Sequence, residues 1–418
     1  MERYEKLLHD NGQGHIIKYL ENANPDKKAE LINQIEKIDF KQLNELFKSS
    51  NRKIEEAQEG VIIEHVPFID KYKMDKSQYQ DLEELGENII RSGKYAAVTM
   101  AGGQGTRLGH DGPKGTFLLN VKPEPKYLFQ IIAEGLERAN KKYNVTIPWY
   151  IMTSTENNDR TVEFMKEHNY FGYDKKYVTI FTQSELPLID ENGRLLINKD
   201  MKIKEASDGN GGVFSSLRTT GMLSDMKERN IKWVFIGAVD NALLNMVDPI
   251  LLGLTINDIN EIGAKSVVKV NPHERVGVFC KKDSKPAVIE YTEIPEEMAE
   301  ETDEDGELLF GESHIMCNLY SISAIEKIAN QKLPYHTAHK KAAYINENGE
   351  LIKPEKPNAY KYEAFIFDGF RYFDEISILR GRREEDFAPI KNAEGVDSPE
   401  SATKLYNDYW EKNANGRM

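Results

Sequence analysis

MAGGQGTRLGHDGPKGTF occupies residues Met100–Phe117 of this 418-residue chain. The apolar run Tyr95–Met100 leads into it and predicts a buried strand. A strand that ends in a glycine-rich turn lets backbone N–H groups approach phosphate oxygens, because a Cβ would block that contact. The stretch therefore predicts a site for a polyphosphorylated ligand, formed by five glycines and two cations: Gly102, Gly103, Gly105, Gly109, Gly112, Arg107 and Lys114.

The glycine spacing excludes two common phosphate loops. A dinucleotide-binding fingerprint requires GxGxxG, but the run from Gly103 to Gly109 places its third glycine one residue too late. A P-loop requires GxxxxGK before Ser or Thr, whereas Lys114 follows a proline. The stretch instead resembles the nucleotide-binding loop of sugar-1-phosphate nucleotidyltransferases, A-G-G-x-G-T-R-L-G with P-K downstream. A glycine-rich surface loop without a ligand is the alternative.

The composition of the chain indicates its cellular location and the classes of partner it can bind. The net charge of −14 argues against broad nucleic-acid binding, so an anionic ligand has to be attracted by local positive charge. No apolar run approaches the ~18 residues of a membrane span, and the N-terminus lacks the apolar core of a signal peptide. Two cysteines, Cys280 and Cys317, form no disulfide framework. We therefore expect a cytoplasmic protein without a membrane or nucleic-acid partner.

The texture of the sequence divides the chain into three segments, and its length alone predicts two or three domains. In residues 1–92 the apolar residues recur at helical spacing, which predicts a helical N-terminal layer. Residues 93–328 alternate strands with helices, which predicts an α/β domain with a mostly parallel sheet. Residues 329–418 predict a small C-terminal domain or lid. In such sheets ligands bind beyond the C-terminal ends of the strands, which is where the loop at Met100 begins.

Carboxylates follow two further apolar runs. Asp240 and Asn241 come directly after the predicted strand Trp233–Val239, where an aspartate can hold Mg²⁺ against the phosphates of a nucleotide. A helix-capping aspartate is the alternative. Phe365–Asp368 repeats the design, so Asp368 is either a second metal ligand or only an aspartate at the end of a strand.

Several weaker candidates share the central and C-terminal segments. The cluster Ser207–Gly212 precedes a helix predicted from Val213 and is either a second ligand-binding turn or a plain turn with a helix start. The other candidates are polar side chains suited to a base edge, sugar hydroxyls or phosphates, although most lysines are only solvated surface: Gln183, Glu290, Tyr291, Lys361 and Lys391.

Taken together, the chain closely resembles eukaryotic-type UDP-N-acetylglucosamine pyrophosphorylases, within the wider UDP-glucose pyrophosphorylase family of uridylyltransferases. The resemblance runs from about residue 94 to 395. Its segments, in order, are AGGQGTRLG with PKG, IPWYIMTS, TQSELP, SDGNGG, AVDN, VIEYTEI, LIKPEKPN, FIFD and FAPIKN. It implies a Rossmann-like nucleotidyltransferase central domain with a mixed, mostly parallel sheet, a helical N-terminal layer and a small C-terminal domain.

The resemblance also implies residue roles. The first loop would bind the nucleotide through Gly102, Gly103, Gly105 and Thr106. The uracil would be bound by Gln183 and by Gly209 and Gly211 of the second glycine turn. The sugar would be bound by Asn210, Glu290 and Tyr291. Arg107, Lys114 and Lys361 would hold phosphates as catalytic residues. Mg²⁺ would bind Asp240, and Asp368 is the candidate for a second ligand.

The implied reaction joins UTP and N-acetylglucosamine 1-phosphate into UDP-N-acetylglucosamine and pyrophosphate. One stretch departs from the family, because G-N-I-A-N-H is replaced by Ser313–Asn318, in which His314 and Cys317 stand for the two asparagines. Glucose or galactose 1-phosphate is therefore an alternative substrate, and we expect the sugar to be selected near His314 and Cys317. A non-catalytic regulator that binds nucleotide sugars, and a Rossmann oxidoreductase, are remoter alternatives.

Overall fold

The structure is a computed structural model, and it describes residues 2–50 and 60–415. The helices in chain order are α1 (Glu2–Asp10), α2 (Ile16–Asn22), α3 (Pro25–Lys37), α4 (Phe40–Ser50), α5 (Lys76–Arg91), α6 (Leu128–Tyr143), α7 (Asn158–Glu167), α8 (Val213–Thr219), α9 (Met222–Glu228), α10 (Pro249–Asn257), α11 (Glu296–Ala299), α12 (Ile322–Ala329), α13 (Arg383–Asp386) and α14 (Pro399–Asn415).

The strands alternate with these helices through most of the chain. They are β1 (Ile63–Glu64), β2 (Ile69–Asp70), β3 (Tyr95–Met100), β4 (Leu118–Leu119), β5 (Lys126–Tyr127), β6 (Trp149–Thr153), β7 (Val178–Thr182), β8 (Glu185–Pro187), β9 (Ile189–Asp190), β10 (Glu205–Ser207), β11 (Trp233–Ala238), β12 (Ile262–Val268), β13 (Val278–Lys282), β14 (Lys285–Ile289), β15 (Glu312–Ser321), β16 (His336–Lys340), β17 (Tyr344–Ile345), β18 (Leu351–Ile352), β19 (Ala359–Glu363) and β20 (Ser377–Arg380).

Two compact units make up the fold. The smaller unit contains Met1–Gly60, Ser184–Gly212 and Leu333–Ile366, and the larger unit contains Val61–Gln183, Val213–Lys332 and Phe367–Met418. Each unit draws on all three of the segments that the sequence analysis separates. The division into an N-terminal, a catalytic and a C-terminal domain therefore stays a prediction about independent folding.

The larger unit is built on one mixed sheet with the strand order β2-β20-β12-β15-β11-β3-β6-β7. Along this path β15 is antiparallel to its two neighbours, and the other pairs are parallel. The hairpin β13–β14 joins through β13, which pairs with both β1 and β15. The predicted α/β fold with a mostly parallel sheet is confirmed.

Strands β3 and β11 are neighbours inside the sheet. Every residue of β3 is buried, as expected for a strand covered by helices on both faces. Because β11, β3, β6 and β7 run parallel in adjacent positions, the residues that follow them emerge at one edge of the sheet. Hydrogen bonds continue past the strand ends: the N–H groups of Ala101, Gln183 and Val239 donate to Met152, Thr153 and Met100.

The smaller unit has its own apolar core. Helices α1–α4 bury one face of each helix against residues from the other two segments of this unit, so the helices predicted at the start of the chain are present within residues 2–50. The core residues include Leu8, Ile16, Leu20, Leu31, Ile35, Leu43, Ile189, Leu195, Ile197 and Ile345. Within residues 2–50 and 60–415, no helix has both the length and the apolar character needed to cross a membrane.

Candidate functional site

The glycine-rich stretch folds back on itself into a closed loop. The N–H of Lys114 donates to the carbonyl oxygen of Gly103 at 3.0 Å, and the N–H of Gly105 donates to Gly112 at 2.8 Å. Gly109 has φ +68°, in the left-handed region that favours glycine. A Cβ on Gly115 would come within 2.2 Å of the Phe129 ring, so this glycine is required by packing. The loop is therefore a fixed structure.

The side chains of Lys114 and Asp240 are in contact at one side of this loop, which we call its mouth. The Lys114 Nζ donates to the Asp240 Oδ2 at 2.8 Å, and the two side chains are 15% and 24% exposed. Lys114 lies in the short 3₁₀ turn Lys114–Thr116, and Asp240 follows β11 with Val239 between them. The sequence analysis put Lys114 in the glycine-rich stretch and Asp240 at a strand end, and the structure brings their charges into direct contact.

Arg107 and Thr106 occupy the outer part of the loop. Both side chains are exposed, in the 3₁₀ turn Thr106–Leu108. Among the described residues, Arg107 has no ion-pair partner, so its guanidinium is available to an anion. Gly103 is also exposed, and a Cβ placed on it would have no protein atom within 4 Å. This side of the loop is open to a ligand.

Gln183 and Asn157 support the loop from two neighbouring strand ends. A Cβ on Gly102 would lie 3.0 Å from the Gln183 amide oxygen, so the Gln183 side chain rests against the loop. Asn157, which is fully buried, donates from Nδ2 to the carbonyl oxygens of Ala101 at 2.9 Å and Gly103 at 3.3 Å. The sequence analysis missed Asn157; its only signal was its position shortly after the predicted strand Ile147–Met152.

Behind Asp240, a buried polar network fixes the main chain. Asn241 donates from Nδ2 to the carbonyl oxygen of Asp386 at 2.7 Å, and its Oδ1 accepts from the N–H of Ala388 at 2.8 Å. The N–H of Ile390 donates to the Asp240 carbonyl oxygen at 2.8 Å. Asn241 is only 3% exposed. Its role is to hold the turn that carries Asp240.

A buried ion pair network extends this support. Lys265, 2% exposed, places its Nζ 2.8 Å from the Asp248 Oδ2 and also contacts Asp386. Burial by itself would raise the pKa of Asp248, but the positive charges of Lys265 and Lys71 outweigh it and hold that pKa at about 2. Asp248 also caps α10 by accepting the Ile250 N–H at 3.0 Å. This network was not predicted from the sequence.

Glu290 and His314 lie near one residue of the larger unit, Gly277. A Cβ on Gly277 would come 3.1 Å from the Glu290 Oε1, and the His314 N–H donates to the Gly277 carbonyl oxygen at 2.9 Å. Tyr291 is 45% exposed. The two positions proposed for the sugar, Glu290 and the substituted stretch, are thus neighbours in this unit.

His314 and Asn318 form a pair across a bulge in β15. The register of β12 and β15 shifts between the pairs Ala264–Asn318 and Ser266–His314, and Met316 within the bulge has φ +57°. The His314 Nε2 lies 3.0 Å from the Asn318 Oδ1. Burial lowers the pKa of His314 to about 4, although the hydrogen bond with Asn318 opposes the shift. His314 is therefore a neutral, buried polar group.

Cys317 lies in a different environment from His314. Its side chain is 2% exposed and belongs to the main apolar core of the larger unit, and burial raises the pKa of its thiol to about 12. His314 instead packs against three aromatic rings, those of Phe279, Phe367 and Phe370, at centroid distances of 5.2 to 6.0 Å. Cys317 is thus a core residue and His314 a member of an aromatic cluster, and their part in the choice of the sugar stays a prediction.

The second glycine turn belongs to the smaller unit. Gly209 has φ +92°, and a Cβ on it would come 2.3 Å from the carbonyl oxygen of Ala364. The Gly211 N–H donates to that same oxygen at 2.9 Å, and the Asn210 Oδ1 accepts from the Ile366 N–H at 2.7 Å. Close packing of backbone thus gives these glycines a structural reason. The helix predicted from Val213 is confirmed as α8.

Two lysines proposed for phosphate binding have acidic neighbours. In the smaller unit, the Lys361 Nζ donates to the Glu363 Oε1 at 2.7 Å, on the same face of β19. In the larger unit, the Lys391 Nζ lies 3.9 Å from the Asp397 Oδ2. Both lysines remain partly exposed. The roles assigned to them remain predictions.

One reading of the sequence is wrong. The run Phe365–Phe367 is not a strand, because residues Ile366–Tyr372 form a 3₁₀ helix that contains Asp368. The aromatic rings of Phe365 and Phe367 pack against His336 and His314, which accounts for the apolar pattern without a strand. Among the described residues, the group of three side chains able to share a metal is the exposed set His273, Glu296 and Glu300, which includes neither Asp240 nor Asp368.

Comparison with known proteins identifies the family. Residues 40–406 match the family described as UTP–glucose-1-phosphate uridylyltransferase. The chain belongs to this family. It is 34% identical to the UDP-N-acetylglucosamine pyrophosphorylase of Saccharomyces cerevisiae, over 96% of this chain and 88% of that protein. It is also 34% identical to UDP-N-acetylglucosamine diphosphorylase 2 of Arabidopsis thaliana, over 95% of this chain and 82% of that protein.

Solved structures agree with the family assignment. The uridine diphosphate N-acetylglucosamine pyrophosphorylase from Trypanosoma brucei superposes with a TM-score of 0.85 at 30% identity, covering 100% of this chain and 88% of that chain. A UDP-glucose phosphorylase from Trypanosoma brucei superposes with a TM-score of 0.65 at 16% identity, covering 90% and 77%, which shows the fold alone. The predicted nucleotidyltransferase fold and the resemblance to uridylyltransferases are confirmed.

Proposed function

We propose that this protein is a uridylyltransferase that converts UTP and N-acetylglucosamine 1-phosphate into UDP-N-acetylglucosamine and pyrophosphate. The observation that carries the proposal is the Lys114–Asp240 contact at the mouth of the glycine loop, 2.8 Å between Nζ and Oδ2. A cation and a carboxylate suited to a divalent metal thus lie beside a loop whose Gly103 is exposed. The names of the similar proteins support the substrate pair.

In the proposed reaction, a phosphate oxygen of the sugar phosphate attacks the α-phosphorus of UTP, and pyrophosphate leaves from the opposite side. The attacking oxygen is already anionic, so the reaction needs no general base. Catalysis then consists of positioning and charge neutralisation. Arg107 and Lys114 would bind the phosphates. For Lys361, in the smaller unit, phosphate binding is what the family resemblance implies.

The carboxylate of Asp240 fits a divalent cation. Its Oδ2 already holds the ammonium of Lys114, and Asn241 fixes the main chain around it. We propose Mg²⁺, which takes one or two protein carboxylates and fills its remaining positions with water and phosphate oxygens. When bound, Mg²⁺ would neutralise the charge that develops on the phosphates. Asp368 is the candidate for a second ligand.

Binding of the uridine and the sugar would use the remaining candidates. Gln183 rests against Gly102 and would present its amide to the uracil, and Thr106 and the loop glycines would surround the phosphates. In the smaller unit, Gly209 and Gly211 would contact the uracil, and Asn210 the sugar. In the larger unit, Glu290 and Tyr291 would bind the sugar ring. A cytoplasmic location stays a prediction from the sequence.

A direct assay tests the substrate assignment. Pyrophosphate release from UTP is followed with N-acetylglucosamine 1-phosphate, N-acetylgalactosamine 1-phosphate, glucose 1-phosphate and galactose 1-phosphate, at equal concentrations with Mg²⁺. We expect the highest kcat/KM with N-acetylglucosamine 1-phosphate. A higher value with glucose or galactose 1-phosphate would favour the hexose alternative, and no release with any of the four would contradict the proposed function.

A further inference from the structure

Lys114 and Asp240 form an ion pair with each other. Among residues 2–50 and 60–415, the ion pair between the Lys114 Nζ and the Asp240 Oδ2 is the one that either side chain makes. Both side chains are largely shielded, at 15% and 24% exposure. The carboxylate assigned to the metal is therefore already occupied by a cation of the protein itself.

We propose that the Lys114 ammonium and the divalent cation compete for the Asp240 carboxylate, and that Lys114 leaves Asp240 when nucleotide phosphates become available to it. This inference rests on the proposed function and deepens it. It makes Lys114 a stand-in for the metal in the free protein and a phosphate ligand in the complex. The binding of metal and the binding of nucleotide are thereby coupled through one side chain.

Charge makes the two occupants mutually exclusive. A single carboxylate carries one negative charge, whereas the ammonium and the metal would bring three positive charges to it. Like charges a few ångströms apart in a partly buried site repel strongly. Metal binding in the absence of nucleotide therefore has to displace Lys114, and this displacement weakens the affinity for the metal.

The two residues differ in their freedom to move. The main chain at Asp240 is held by the Ile390 N–H and by the buried Asn241 side chain, which bonds to Asp386 and Ala388. Lys114 carries its charge on a flexible four-carbon chain at the start of a short turn. Lys114 is thus the partner that exchanges, moving between Asp240 and the phosphates while the carboxylate stays in place.

The first test measures metal affinity without nucleotide. Mn²⁺ is titrated into the wild-type protein and into Lys114→Met, and bound Mn²⁺ is followed by electron paramagnetic resonance. Asp240→Asn provides the blank for Mn²⁺ bound elsewhere, for example at the exposed His273 group. Removal of one partly shielded ion pair is expected to tighten Mn²⁺ binding at Asp240 by about fivefold. Unchanged or weaker binding would overturn the proposal.

A matched variant controls for the loss of a lysine. Lys126 pairs with Glu134 at 2.6 Å in the same unit, with side-chain exposures of 15% and 30%, close to those of the Lys114 pair. Lys126→Met should leave Mn²⁺ affinity unchanged. If Lys126→Met tightened Mn²⁺ binding as much as Lys114→Met, the effect would come from net charge alone, and the proposal would fail.

The second test measures UTP affinity without metal, in the presence of EDTA. Asp240→Asn releases Lys114 to the phosphates and removes a negative charge, so the dissociation constant for metal-free UTP should fall by about fivefold. A rise or no change in this dissociation constant would show that Lys114 stays paired with Asp240, and would overturn the proposal. Turnover is not used in either test, so loss of the proposed activity and failure of this exchange are observed separately.

Discussion

The Nδ2 of Asn157 donates a hydrogen bond to the carbonyl oxygen of Ala101 at 2.9 Å, and so ties the turn after β6 to the first residue after β3. The same amide reaches the Gly103 carbonyl oxygen at 3.3 Å. One buried side chain therefore supports the opening of the glycine loop from the neighbouring strand end. It links the order of the strands to the shape of the candidate site.

Replacement of Asn157 should loosen this loop. Asn157→Ala removes both hydrogen bonds and leaves the buried Ala101 carbonyl oxygen without its amide donor, whereas Gly103 keeps the Lys114 N–H, so the KM for UTP should rise by about tenfold, with a stability loss of about 1–3 kcal/mol. Steady-state kinetics and thermal unfolding measure the two effects. The control is Asn140→Ala, because Asn140 is buried in the same unit but bonds to the Ile147 N–H. An equal KM effect in both variants would contradict a specific role for Asn157.

Two glycines of the loop should respond in opposite ways to an added methyl group. Gly115→Ala would push a Cβ into Phe129 and should cost about 1–3 kcal/mol of stability. Gly103→Ala meets no protein atom within 4 Å, so the melting temperature should stay unchanged while UTP affinity falls by about tenfold or more. Calorimetry on both variants separates packing from binding. Full UTP affinity in Gly103→Ala would show that phosphates do not approach there.

Loss of either charge at the mouth of the loop should nearly abolish turnover. Lys114→Ala and Asp240→Ala each remove a group proposed to neutralise the phosphates, which costs about 10²–10³ in kcat. Circular dichroism should show that both variants remain folded, because each side chain is partly exposed. Wild-type turnover in either variant would defeat the proposed mechanism.

The contribution of His314 to stability should be lost as the pH falls from about 6.5 to 4. Burial holds the pKa of His314 at about 4 in the folded state, whereas the unfolded chain takes up the proton near pH 6.5. Keeping His314 neutral therefore costs the folded state nothing above pH 6.5. As the pH falls towards 4, protonation of His314 in the unfolded chain lowers the free energy of unfolding, on the order of 2–3 kcal/mol. Urea unfolding of wild type and His314→Asn across this range measures it. A slope in the variant as steep as in the wild type would refute the assignment to His314.

Lys265 should be essential for stability. Lys265→Met leaves the buried Asp248 and Asp386 carboxylates without their ion-pair partner, at a cost of about 3–5 kcal/mol. In contrast, Lys142→Met removes a half-exposed pair with Glu87 and should cost about 1 kcal/mol or less. Denaturant unfolding near pH 7 compares them. Similar losses in the two variants would show that burial of the Lys265 pair is not what stabilises the fold.

Much of the site follows from local sequence. The register of the glycines excluded two loop types, and the apolar runs before Met100 and Asp240 predicted strands that the structure contains. These signals are local, because backbone freedom at glycine and burial along a strand depend on a few neighbouring residues. The run Phe365–Phe367 misled for the same reason. Its apolar residues pack as aromatic contacts of a 3₁₀ helix, and a short apolar run does not distinguish that from a strand.

The sequence by itself determined the family, the α/β fold and the residues that end the central strands. Only the tertiary structure decided which side chains meet: Lys114 with Asp240, Asn157 with Ala101, and His314 with Asn318 across a bulge, while Cys317 enters the core. Partners of this kind lie far apart in the chain or depend on a shift of strand register. They are set by the packing of the whole sheet, which leaves no signature in the residues beside them.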